Sequence, residues 1–188
     1  MIDRLTSKRT VLMLVIGASC VVLVSGSREW VQGSVGDAVL GASALHGRGS
    51  EVAPGAMAAA LVGLASAVAA ATSGRVVRVV AASSALIAAV LGAAVVGSVL
   101  SDPGGALGAM AAAGTGRSGT LVADGRAGGW VWVALAAMLV IGAGGLGALV
   151  GGRRWKGLSS RYDAAGPGPG HGSEWDQLSR GEDPTVSH

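Results

Sequence analysis

Trp130-Val131-Trp132-Val133-Ala134-Leu135-Ala136-Ala137-Met138-Leu139-Val140-Ile141 begins an uncharged stretch that runs to Gly152, and Arg153-Arg154-Trp155-Lys156 ends it. Residues 130–152 contain no acid, base or side-chain amide. A run this long and this apolar predicts a helix that crosses a lipid bilayer. About 25 residues separate the outer tryptophans and, rising 1.5 Å each, cover roughly 37 Å. A hydrocarbon core of about 30 Å plus part of each interface needs that length. Trp130, Trp132 and Trp155 therefore read as interfacial anchors, which place amphipathic rings at headgroup level.

The rest of the chain extends this reading. Its 188 residues are 51% hydrophobic and 13% charged, about half the charged share of a soluble domain. The mean hydropathy is +0.57. A pI near 9.8 invites a nucleic-acid reading, yet the net charge is only +3. The basic residues also flank apolar segments instead of forming a patch, so they read as topology markers and no nucleic-acid partner is expected. The single cysteine, Cys20, excludes an internal disulfide and lies within an apolar run.

Three further spans are expected. Residues 11–27 form the first, preceded by a basic cytoplasmic segment, 1–10. The same segment has the layout of a signal peptide, but a retained helix is favoured because the three later spans need a partner to place both ends on one side. The second span is 54–73, starting at a proline suited to a first helical turn. A basic turn, 74–78, leads to the third span, 79–100, so these two make an antiparallel helical hairpin. The fourth span is 130–152. Outside the membrane, residues 28–53 hold short β-like patches compatible with a small hairpin within 28–50, and Trp30 reads as another interfacial anchor. In the second outer loop, 101–129, Ser101-Asp102-Pro103 reads as a helix cap for a short helix at 103–113. The Gly-rich residues 114–129 read as a flexible loop.

The fold expected is thus an all-α membrane protein of four spans with both termini cytoplasmic. Arg4, Lys8, Arg9, Arg75, Arg78, Arg153, Arg154 and Lys156 set that orientation, joined by Arg161 and Arg180 in the tail. Ten basic residues then lie inside and four, Arg28, Arg48, Arg117 and Arg126, outside. Small residues four apart offer close helix packing: Ala59, Gly63, Ala67 and Ala71 on the second span, Ala81 through Gly97 on the third, and Ala143, Gly147 and Gly151 on the fourth. The sequence sets no oligomeric state.

Chemistry is sparse. No ionisable residue lies within the four spans, the usual mark of an ion or proton path. Their hydroxyls, Ser19, Ser66, Thr72, Ser83, Ser84 and Ser98, are expected to bond to a backbone carbonyl one turn back. His46, His171 and His188 are far apart, no pair has metal-ligand spacing, and no serine sits in a nucleophile elbow. Asp37, Glu51, Asp102 and Asp124 read as solvated loop acids. No catalytic residue, metal or cofactor is expected, and the protein is not expected to be an enzyme.

The cytoplasmic tail, 153–188, carries a Gly-Pro linker and then Ser173-Glu174-Trp175-Asp176-Gln177-Leu178-Ser179-Arg180-Gly181-Glu182-Asp183-Pro184-Thr185. A short helix near 174–180 would place Trp175 and Leu178 on one face. With Tyr162, Arg180, Glu182 and Asp183, they are the candidate partner-docking residues. The segments Arg153-Arg154-Trp155 and Ser159-Ser160-Arg161-Tyr162-Asp163, the closing Trp175 to Thr185 motif and Arg28-Glu29-Trp30 resemble the tryptophan biosynthesis-associated membrane proteins of GC-rich bacteria. Lys156 departs from the residue expected there. The resemblance implies a multi-pass protein of the bacterial cytoplasmic membrane, linked to tryptophan synthesis by gene context, and it brings no catalytic or binding residues. The expectation is an accessory or scaffold protein, with the bilayer and a tail-bound protein as partners. The alternative is a small-metabolite permease for tryptophan or an indole relative.

Overall fold

A computed structural model describes residues 8–37, 41–114 and 122–151. Four long helices dominate it: α1 (Lys8–Gly26), α3 (Pro54–Thr72), α4 (Arg75–Ser101) and α6 (Gly129–Gly151). Each is long and apolar enough to cross a membrane. They pack as a ring in which α1 touches α3, α3 touches α4, α4 touches α6 and α6 returns to α1. Sequence neighbours are therefore spatial neighbours running antiparallel, and of their connections only that between α3 and α4 is short.

The ends of these helices follow local chemistry. Pro54 opens α3, where its missing N–H would have had no helical partner. The Ser73 N–H donates to the Ala69 carbonyl and ends the helix. Only Ser73 and Gly74 then separate α3 from α4, so the basic turn expected over 74–78 is shorter. Arg75, Val76, Val77 and Arg78 already belong to α4. Arginine is a good helix former, and a charge marks where the apolar run stops without stopping the backbone. At 27 residues, α4 is about 40 Å long, which exceeds a hydrocarbon core of about 30 Å.

At the other end of the ring a cap is built from three strands and two short helices. The strands are β1 (Glu29–Asp37), β2 (Gly41–Arg48) and β3 (Ala123–Ala127), in the order β2-β1-β3 with both pairings antiparallel. The helices are α2 (Gly49–Val52) and α5 (Pro103–Gly114). Residues 28–50 thus hold a hairpin, and 103–114 a helix. Asp102 does two jobs there: its N–H donates to the Ser98 carbonyl and closes α4, while its Oδ1 accepts from the Gly105 N–H at 2.8 Å and opens α5. It is a helix cap as well as an exposed acid. The loop expected over 114–129 is corrected in part, because residues 123–127 form a strand. Ala-Asp-Gly-Arg-Ala has low intrinsic strand preference, and pairing with β1 overrides it.

In lipid, apolar side chains gain little by leaving the solvent, so helices associate through close contact. The described interior shows how. Met138 and Ile141 of α6 are fully buried and point at glycines. A Cβ on Gly92 of α4 would lie 2.7 Å from the Met138 sulfur, and one on Gly63 of α3 would lie 3.2 Å from Ile141 Cγ2. At Gly145 of α6 backbone meets backbone, since a Cβ there would sit 3.1 Å from the Ala82 carbonyl oxygen and 3.2 Å from the Leu86 nitrogen.

Ala59, Gly63 and Ala67 of α3 and Ala81, Ala85 and Ala89 of α4 are buried, so those two small-residue stripes face inward. The stripe expected on the fourth span does not. Ala143 is exposed and Gly147 only half-buried, whereas Gly144, Gly145 and Ala148 are buried. Small and large residues alike lie on several sides of this helix, and packing against α1 and α4 decides which side turns inward.

Candidate functional site

The capped end is where the described polar side chains gather, and it is built around Trp30. Between Glu29↔Arg48 and Val31↔Gly47 the β1–β2 register slips by one residue. Trp30 is the extra residue of this β-bulge. In a regular strand neighbouring side chains face opposite ways, but a bulge re-aims one of them. Trp30 and Val31 are accordingly both 0% exposed. The Trp30 Nε1–H donates to the Ser25 carbonyl at 2.9 Å. The Arg28 N–H donates to that same carbonyl at 2.9 Å, so one of the last carbonyls of α1 is satisfied twice.

Around the indole, Gly49 leaves no room for a side chain: a Cβ there would come within 2.6 Å of Trp30 Nε1. The Gly49 N–H donates to the Arg28 carbonyl at 3.1 Å, and the Gly128 N–H donates to the Trp30 carbonyl at 2.7 Å. Trp30 thereby ties the end of α1, the start of α2 and the segment leading into α6. Reading it as an interfacial anchor is corrected. An anchor needs its ring among headgroups, and this ring is sealed inside protein. A tryptophan just beyond a span looks the same in sequence in either role.

The other tryptophans expected to be anchors differ. Trp132 is 61% and Trp130 41% exposed. Arg28 lies 5.5 Å from the Trp130 ring centroid, a cation–π contact across the base of the cap. Trp155 lies outside the described residues.

On the face of the sheet away from the bundle, Glu29 accepts from Gln32 Nε2 at 2.9 Å and stands 3.5 Å from His46 Nδ1. Asp124 and Arg126 of β3 are exposed on this face, beside Gln32 and Ser34 of β1, around a polar groove of about 490 Å³. Sequence reading missed this groove because the strand that supplies half of it was read as loop. Among the described residues, no three His, Cys, Asp or Glu side chains come together.

The opposite end is simpler. Arg9 and Arg75 are exposed there, while Arg78 is only 3% exposed and donates through Nη2 to the Ser73 carbonyl at 3.3 Å, at the end of α3. Arg78 is therefore built into the helix turn as well as being a basic residue of that end. Lys8 begins α1. Arg4, Arg153, Arg154, Lys156 and the candidate docking residues Tyr162, Trp175, Leu178, Arg180, Glu182 and Asp183 lie outside the described residues.

The hydroxyls of the spans, Ser19, Ser66, Thr72, Ser83, Ser84 and Ser98, are expected to bond backward along their helices. Thr72 does so to Val68 at 3.1 Å and Ser98 to Val95 at 2.8 Å. Ser19 does not: it is 0% exposed and its Oγ has no hydrogen-bond partner among the described residues. It faces Gly63, where a Cβ would lie 3.1 Å from that oxygen. The missing Cβ leaves a Cα–H directed at it, a weak contact. Two apolar grooves, of about 400 and 450 Å³, flank α6 on its α4 and α1 sides. Exposed Val90, Leu139 and Leu146 line one, and Met13, Leu14 and Val21 the other, so both open sideways toward lipid.

No curated protein and no solved structure matches the chain. A family match, in contrast, spans residues 11–185. It takes in α1 from residue 11, the other three long helices, the cap and most of the tail, as the resemblance in the tail and at Arg28-Glu29-Trp30 implies. On that match, this multi-pass membrane protein belongs to the family of tryptophan-associated transmembrane proteins.

Proposed function

We propose that the protein is a non-enzymatic accessory or scaffold of the bacterial plasma membrane, with its bundle as anchor and its tail, 153–188, binding a partner connected to tryptophan synthesis. The observation that carries this reading is the filled interior. Val22, Val96, Met138, Ile141 and Ser19 occupy it and are each 0% exposed. Among the described residues no ionisable side chain is buried between the two ends of the ring. A proton-coupled transport path usually places an acid or histidine at mid-membrane, and the two grooves beside α6 open to lipid instead of along the axis.

Charge supports the orientation. Among the described residues the open end holds Lys8, Arg9, Arg75 and Arg78 with no acid, while the cap end mixes Arg28, Arg48 and Arg126 with Glu29, Asp37, Glu51, Asp102 and Asp124. An excess of Lys and Arg marks a cytoplasmic side, so the cap faces outward and the tail inward.

The test is deletion of residues 165–188, with co-purifying proteins and tryptophan or indole flux measured together. Loss of a partner with unchanged flux is expected. Unaltered partners with altered flux would overturn the scaffold reading in favour of a permease. A reporter at His188 that proves extracytoplasmic would overturn the orientation.

A further inference from the structure

We propose that the outward face of the cap sheet holds a binding site for a free α-amino acid, recognised through its carboxylate and its ammonium group. The pairing of β1 with β3 sets Gln32 opposite Arg126, Gly33 opposite Gly125 and Ser34 opposite Asp124. Alternate residues of a strand share a face. The inner face is fixed by Val31, fully buried, and by Gly125, where a Cβ would lie 2.8 Å from Pro103 backbone at the start of α5. Gln32, Ser34, Asp124 and Arg126 therefore stand together on the outer face. The Gly33–Gly125 backbone pair is the floor between them, and the groove they enclose is about 490 Å³, within the range of small-molecule sites.

The groove has one basic corner and one acidic corner, about 7 Å apart along β3. The other two corners are a neutral amide and a hydroxyl. Nearby Glu29 is engaged by Gln32 and His46, whereas Asp124 and Arg126 make no ion pair or side-chain hydrogen bond among the described residues. A ligand that carries both charges on one carbon matches this pattern. The Arg126 guanidinium suits a carboxylate through two parallel N–H donors, and the Asp124 carboxylate accepts from an ammonium. The Gln32 amide and the Ser34 hydroxyl offer further hydrogen bonds. A dianion would leave Asp124 facing like charge, and a polyamine would do the same to Arg126. The wall residues are polar and the groove opens away from the bundle, so the ligand's own side chain projects outward and the site selects a class, not one member.

The test is calorimetric titration of the full chain in nanodiscs with L-serine, L-tryptophan, N-acetyl-L-serine and L-serine amide. The two free amino acids are expected to bind once each and to compete. Removing either charge from the ligand should weaken binding roughly tenfold or more. Arg126→Gln should erase the preference for L-serine over its amide, and Asp124→Asn the preference over the N-acetyl form. Both substitutions are exposed, and an unchanged melting temperature shows the fold intact. Absence of saturable binding by either amino acid would overturn the proposal, as would variants that keep both preferences. Because the site is independent of the tail, deletion of residues 165–188 should leave binding intact. Binding lost with that deletion would also overturn it.

Discussion

The cap and the bundle are held together by opposite means. In the bundle, large side chains of α6 fill places that glycines on α3 and α4 leave vacant, and polar groups contribute little. In the cap, one large aromatic residue is held by backbone from three segments, and its side chain donates its N–H to a helix carbonyl. The difference reflects the two solvents. Lipid gives no drive to bury apolar surface, so contact distance decides which helices associate. At the aqueous end, a buried indole supplies both a hydrophobic contribution and a hydrogen bond. Each region should therefore fail under a different kind of substitution: loss of volume in the cap, gain of volume in the bundle.

The largest effect is expected at Trp30. Trp30→Ala should destabilise the cap by about 3–5 kcal/mol, as for other large-to-small changes in a core, while Trp30→Phe, which removes the N–H, should cost less. Limited proteolysis between residues 28 and 53, read beside thermal unfolding, would check this. If Trp30 were a lipid anchor, proteolysis would not change and only membrane insertion would suffer.

A smaller effect is expected in the bundle. Gly145→Val should cost about 1–3 kcal/mol by overpacking against the α4 backbone. The same change at Gly147, where a Cβ meets only Val11 at 3.6 Å, should be close to neutral. Thermal stability in detergent measures both. Equal losses at the two positions would show that the stripe Ala143, Gly147 and Gly151 packs after all.

The smallest effect is expected at Ser19. Ser19→Ala removes a buried hydroxyl that has no partner, so it should leave stability unchanged or raise it slightly. A clear loss would mean that the hydroxyl has a partner in the membrane, and would weaken the picture of an interior held by contact alone.

Much of this was legible in the sequence. Hydropathy found four spans because crossing a bilayer is a demand on about 20 consecutive residues, and that demand is local. Asp102 and Pro103 announced α5 because capping is settled within one turn. The facing of α6 was not legible: Gly144, Gly145, Gly147 and Gly151 are chemically alike, and only the neighbouring α1 and α4 distinguish them. Trp30 was misplaced because its role depends on a bulge in a hairpin and on Gly49 and Gly128 arriving from elsewhere. Half of the candidate site was missed with β3.

The sequence by itself determined the membrane class, the number of spans, the family and the skewed distribution of positive charge, since each depends on residues adjacent in the chain. The tertiary structure decided which small residues touch, that Trp30 is buried and that Asp124 and Arg126 stand beside Gln32 and Ser34. Those outcomes depend on pairs about 20 to 135 residues apart, brought together by strand pairing and ring closure. No local pattern encodes such a pair, because its energy exists only once both partners are in place.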